Sequence, residues 1–137
     1  MMVVFDNNII LDALLERKPF SIEAEQLLAA CASEHLGYLT ANSLTDIFYV
    51  ISKFAGAINA KQTVKKLADL FEIIPVSGED CINALELPID DFEDALIITC
   101  TARCGADCII TRNEKLLNEN SSPVMIMSPQ MLLDKLK

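Results

Sequence analysis

A single histidine, His35, in 137 residues leaves little room for imidazole chemistry. It reads as a helix-end residue favoured by the helix dipole rather than as a catalytic base. Five cysteines, Cys31, Cys81, Cys100, Cys104 and Cys108, form an odd set without a regular framework. Most sit in apolar surroundings, where a reduced thiol behaves as a small hydrophobe. Cys100, Cys104 and Cys108 step by four, but a zinc centre would need a fourth ligand and a chelating loop, and His35 is distant. No stretch reaches the roughly 18 uncharged apolar residues of a membrane span. The opening M-M-V-V-F-D sets no basic segment ahead of a long apolar run, so a cytoplasmic protein with no membrane partner is expected. Bases are scarce as well, 11 against 20 acids, for a formal charge of −9.

That charge balance argues against gripping nucleic acid by broad neutralisation of phosphates. The objection weakens if some acids are metal ligands, because a bound cation reverses the field where a phosphate would sit. The bases that exist are grouped: Lys61, Lys65 and Lys66; Arg17 and Lys18; Arg112 and Lys115. The first group reads as a solvated helix face.

What is abundant is apolar: 52% of the chain is hydrophobic, enough for one domain over residues 1–137 with a proper core. Continuous apolar runs predict buried strands at Met2–Phe5, Tyr38–Thr40, Glu72–Val76, Cys108–Thr111 and Val124–Met127. Helices are expected at about Ile9–Glu16, from a cap at Ser21 onward, and over Leu44–Phe54, Ala60–Phe71, Gly78–Leu87 and Phe92–Cys104. Gly105 closes the last of these, and further helices follow Asn113 and Pro129. Phe48, Tyr49 and Phe54 are read as core packing, with any exposed remainder available for dimerisation. No repeat or low-complexity linker interrupts the alternation. It implies a three-layer α/β/α sandwich around a central, mostly parallel sheet of about five strands.

Such a sheet gathers strand-end and helix-start residues into one crevice. Four stretches end a hydrophobic run in polar residues: V-V-F-D-N-N through Asn8, S-L-T-D at Asp46, D-D-F-E-D-A at Asp94, and I-I-T-R-N at Asn113. Clustered carboxylates there would suit a hard divalent cation. Taken singly, each acid serves equally well in helix capping: Asp6 as an N-cap, Asp46 in a box with Ser43, Asp94 in a box with Asp91.

In order, V-V-F-D-N-N-I-I-L-D, S-L-T-D-I-F-Y, D-D-F-E-D-A-L-I and A-D-C-I-I-T-R-N resemble the successive signatures of the PIN-domain family, metal-dependent ribonucleases that include VapC-type toxins. The resemblance runs from Val3 to about the last strand. It implies Asp6, Asp46 and Asp94 as catalytic acids, with Mg²⁺ or Mn²⁺ held by Asp6 and Asp94. Asp91 matches an additional acid of one branch. Asn8, Thr111 and Arg112 would support the site, Arg112 by meeting a phosphate. The sequence departs from the pattern at the fourth acid, whose two customary positions hold Asn113 and Leu116, with Glu114 and Glu119 nearby. It departs again at Asn7, where Thr is frequent.

The function implied is a metal-dependent endoribonuclease, set in a type II toxin-antitoxin pair. RNA, an antitoxin protein and a second copy of the chain are then the expected partners. The alternative is a catalytically impaired PIN-like module that binds RNA or protein. A phosphoacceptor receiver domain, also a five-stranded parallel fold, is disfavoured because the third and fifth strands end in P-V-S and M-S-P, without the required Asp and Lys.

Overall fold

A computed structural model of the chain describes residues 1–34 and 36–136, so the reading of His35 falls outside the described residues. Five strands, β1 (Val3–Phe5), β2 (Gly37–Thr40), β3 (Glu72–Ile74), β4 (Cys108–Ile110) and β5 (Met125–Met127), form one sheet in the order β3-β2-β1-β4-β5. Every pairing is parallel, with Val4 opposite Tyr38 on one side and Ile109 on the other. Eight helices are described: α1 (Asn7–Leu14), α2 (Ser21–Ser33), α3 (Ala41–Ala55), α4 (Ala57–Leu70), α5 (Gly78–Leu85), α6 (Phe92–Cys104), α7 (Glu114–Leu117) and α8 (Pro129–Leu136). The expected three-layer α/β/α architecture is the one found.

The apolar strands are short and continuous because both sheet faces are covered. Val3 and Phe5 point to one face with Leu39, Cys108, Ile110 and Met127, against α1 to α4 and α8. Val4 and Ile109 point to the other, against α5, α6 and α7. Phe71 closes the edge of the first core, edge-on to Phe5 with ring centroids 5.5 Å apart. It comes so near β2 that a Cβ on Gly37 would collide with its ring, so only glycine fits there. Gly105 ends α6 in the left-handed conformation, φ 74°, as its place in the sequence predicts.

The chain order places the site. It goes from β1 outward through β2 to β3, then returns through α5 and α6 to lay β4 on β1's other side. The strand order therefore reverses at β1, and the crevice of an open parallel sheet lies beyond the carboxyl ends at such a point. Asp6 follows β1 there, Thr40 ends β2, and Thr111 to Asn113 follow β4.

Several local expectations are corrected. Helix α3 starts at Ala41 rather than Leu44, so Asp46 lies in its second turn and the Ser43–Asp46 capping box does not form; Ser43 instead bonds the N-cap residue Thr40, Oγ to Oγ 2.9 Å. Ser21 is the first residue of α2 rather than its cap. The buried stripe of α3 is Ser43, Ile47 and Ile51. Phe48 packs beside it, but Tyr49 falls on the far side and Phe54 stands in the last turn of α3, and at 61% and 73% exposed neither belongs to the core. Leu116, the second customary place for a fourth acid, is 1% exposed in the core beneath α6. A carboxylate at that position would be buried without a partner.

Candidate functional site

Asp6 occupies the N-cap position of α1, yet its side chain makes no capping bond to that helix. Thr111, fully buried at the end of β4, donates its hydroxyl to Asp6 Oδ2 at 2.7 Å and accepts from the Asn113 backbone N–H at 3.1 Å. The chain turn after β4 thus aims the carboxylate that follows β1. Asp94 stands in the first turn of α6, which Asp91 caps by accepting from the Asp94 backbone N–H at 2.9 Å. The capping reading is therefore right for Asp91, with one of its carboxylate oxygens committed to the helix. For Asp94 the side chain is left free to face the crevice.

Two adjoining hollows share Asp6, Asn7 and Glu93. The inner one is lined also by Thr40, Asn42, Ser43 and Asp94; the outer one by Asn8, Asp46 and Tyr49. The sheet thus brings Asp6 and Asp94 to one hollow and Asp6 and Asp46 to the next. Asn7 bridges the outer group, its Nδ2 donating to Asp46 Oδ2 at 3.1 Å and to Glu93 Oε1 at 3.4 Å. Where a Thr is frequent, this chain has an amide that ties two acids together. Asn113 caps α7 by accepting from the Lys115 N–H at 3.0 Å, and stands one hydrogen-bonded residue away from Asp6.

The electrostatics record the crowding. Burial raises the Asp94 pKa to about 6, with the negative charges of Asp91, Asp6 and Glu119 adding to it and Lys115 opposing. Asp6 is raised chiefly by burial, partly offset by the Thr111 hydroxyl, the Asn7 backbone N–H and the Arg112 charge. Glu93 is raised by burial and then by Asp46 and Asp6. Because Asp94 takes up its proton more readily folded than unfolded, its contribution to the stability of the metal-free chain should grow as the pH falls from about 7 through about 6, and be complete only below its unfolded value of 3.8. Denaturant melts across that range would show it, and Asp94→Asn should flatten the slope.

Arg112 does not project freely. Asp12, with no exposed surface, grips it in a fork, Nε to Oδ2 2.6 Å and Nη2 to Oδ1 3.0 Å, and its guanidinium lies 4.1 Å from the centroid of the Phe20 ring. Arg17 approaches the same carboxylate at 3.7 Å.

Glu93, Asn42 and Asp12 were missed by the sequence reading. Glu93 was adjacent to the chosen Asp94 in D-F-E-D, and helix geometry puts consecutive first-turn acids at one mouth. Asn42 follows a strand end, Thr40, much as Asn8 follows Phe5. Asp12 had a signal too: an acid inside the apolar run I-I-L-D-A-L-L must be buried, and a buried charge requires a partner.

The donor set suits a hard cation. Among the described residues Asn7 Oδ1 and Asn42 Oδ1, both buried, have no hydrogen-bond partner, and both residues line the inner hollow beside Asp6, Glu93 and Asp94. Among the described residues no three acidic, histidine or cysteine side chains converge closely enough to cage an ion alone. That is compatible with Mg²⁺, which commonly takes one or two carboxylates and keeps several waters. The thiols stand apart from this chemistry: all five are unpaired, and burial pushes Cys31, Cys100 and Cys108 up to about 11.

Residues 2–115 match the family model described as PIN domain. No curated protein sequence matches the chain. Its fold is similar to VapBC2 from Rickettsia felis, solved bound to a promoter DNA fragment, at TM-score 0.70 and 18% identity over 93% of this chain and 98% of the other. It is similar to a toxin-antitoxin complex from Klebsiella pneumoniae at TM-score 0.70 and 20% identity, over 93% and 97%. A third likeness, TM-score 0.65 and 13% identity over 78% and 86%, is to Mycobacterium tuberculosis VapC20, described as a sarcin-ricin loop cleaving toxin.

Proposed function

The chain belongs to the PIN-domain family, and from that premise we propose that it is a metal-dependent endoribonuclease acting as the toxin of a type II toxin-antitoxin pair. The observation that carries this reading is the uncapped Asp6 carboxylate, aimed by Thr111 into the hollow that also holds Asp94 and Glu93. Asp6 and Asp94 are the residues proposed to hold Mg²⁺ or Mn²⁺, with Glu93 and the amide oxygens of Asn7 and Asn42 completing the donors or fixing coordinated water. Such an ion lowers the pKa of bound water and offsets charge on a phosphodiester. Asp46, tethered through Asn7, orients water at the outer hollow. Arg112 neutralises a phosphate beside the acids, where a cation is otherwise scarce. Asn8 lines the outer wall.

The partner side of the proposal is supported by apolar surface at the α3–α4 corner, where Phe54 and Ile58 are 73% and 76% exposed. A second copy of the chain or an antitoxin helix would cover it. The solved relatives include toxin-antitoxin complexes.

One observation favours the alternative, an impaired RNA- or protein-binding module: the fourth position is an amide, Asn113, already committed to capping α7. Cleavage of single-stranded RNA in Mn²⁺ against EDTA separates the two. Asp caps as well as Asn, so Asn113→Asp should keep α7 formed while adding a charge beside Asp6. Cleavage should then rise roughly tenfold, the equivalent of about 1.4 kcal/mol. An active wild type that Asn113→Asp does not improve would show that Glu93 or Glu119 already does the work of the fourth acid.

A further inference from the structure

A second cavity lies next to the acid crevice, between the start of α2, the turn from β4 to α7, and the start of α8. Arg112 joins the two: it lines this cavity, and its charge also reaches Asp6. The walls are Phe20, Leu117 and Pro129, with Glu23, Glu114, Ser128 and Gln130 at the polar positions; Gln130 Nε2 already donates to Asp134 Oδ1 at 2.8 Å and Ser128 Oγ accepts from the Met131 N–H at 3.2 Å. Phe20 is 41% exposed although it sits under the guanidinium. An exposed aromatic ring and an arginine plane, fixed against each other by the Asp12 fork, are the two side-chain surfaces on which unstacked nucleobases lie. Among the described residues neither the Glu23 nor the Glu114 carboxylate has a hydrogen-bonded or ionic partner.

We propose that this cavity is a subsite for a guanine base of the RNA strand, stacked against Phe20 and Arg112 and read by Glu23 or Glu114, while the adjoining phosphate lies toward the acids. The inference rests on the ribonuclease reading above and adds a specificity to it. The base follows from donor chemistry. An ionised carboxylate only accepts hydrogen bonds. Guanine presents two adjacent donors on its Watson–Crick edge, N1–H and the N2 amino group. Adenine and cytosine place a ring acceptor beside their amino group, and uracil flanks its single N–H with two carbonyls, so each would set a lone pair against the carboxylate. Arg112 reaches the phosphate from the same platform, which makes Asp12 a positioning residue for both contacts.

The test uses full-length protein carrying Asp94→Asn, so that nothing is cleaved, and fluorescein-labelled RNA hexamers of uridine with one central guanosine, adenosine or cytidine. Anisotropy titrations should show the guanosine hexamer binding about tenfold more tightly than the others. The double variant Glu23→Gln, Glu114→Gln should erase that preference while binding of the all-uridine hexamer stays equal or strengthens, since two repelling charges are gone. Phe20→Leu, which keeps apolar volume, should weaken all the purine hexamers. Equal binding of the four hexamers, or a guanosine preference that survives the double Gln variant, would overturn the subsite. Cleavage without guanosine preference would leave the ribonuclease reading standing alone. Guanosine preference in a chain whose wild type cleaves nothing would leave the subsite standing and remove the enzyme.

Discussion

Asp94→Asn is expected to abolish Mn²⁺-dependent cleavage of single-stranded RNA, lowering the rate by on the order of 10³-fold, or about 4 kcal/mol of transition-state stabilisation. Asn keeps the size of the side chain and one oxygen. The first turn of α6 also survives, because its cap is Asp91 accepting from the backbone N–H of residue 94. What is lost is charge in the hollow shared with Asp6 and Glu93. Loss of activity in a variant that melts no lower than the wild type would therefore report on the site and not on the fold, since removing an acid raised to about 6 relieves a cost at neutral pH. Retention of more than about a tenth of wild-type turnover would move the principal acid elsewhere, with Glu93 the first candidate.

The second large effect concerns stability. Asp12→Ala removes the acceptor of a two-pronged arginine fork and the counter-charge of Arg17, both at a carboxylate with no exposed surface. Breaking a fully buried pair costs about 3–5 kcal/mol, because the remaining charge is stranded. Here the arginine side chains are 30% and 34% exposed, so water recovers part of the loss. A decrease of about 2 kcal/mol is expected, read as a lower midpoint in urea. Because Arg112 is released from Phe20, RNA affinity should fall more than turnover. A change under about 0.5 kcal/mol would mean that the fork is dispensable.

The fold was legible because its signal is periodic and redundant. Apolar runs such as V-V-F and C-I-I, bounded by polar residues, can only be strands covered on both faces, and the helical segments between them force parallel pairing. Helix starts were less legible. The start of α3 was misplaced by three residues because S-L-T-D imitates a capping box, while the actual N-cap, Thr40, makes no side-chain capping bond that would mark it. Tyr49 and Phe54 were misassigned because aromatic type was read as burial: Tyr49 lies about 200° round the helix from Ile47, and Phe54 stands in the last turn of α3 at 73% exposed.

In the site, strand-end acids could be picked out singly, but their neighbours could not. Asn7, Glu93 and Asn42 acquire meaning only when β1, α3 and α6 bring them within reach of one another across 39 and 86 residues of sequence. Arg112 shows the converse. A free cation in sequence proves to be held by Asp12, 100 residues away.

The central claim, a divalent-cation site built by Asp6 and Asp94, is tested most directly by thermal melts of wild type and of the Asp6→Asn, Asp94→Asn double variant with and without Mn²⁺. Acids raised in pKa by burial and by one another repel until a cation neutralises them. An ion that binds only the folded chain stabilises it by mass action, by about 2.7 kcal/mol at a hundredfold excess over its Kd. The expected result is a clear rise in wild-type melting temperature that the double variant lacks, stronger above about pH 6, where Asp94 is ionised. No rise for wild type, or an equal rise for the double variant, would contradict the account.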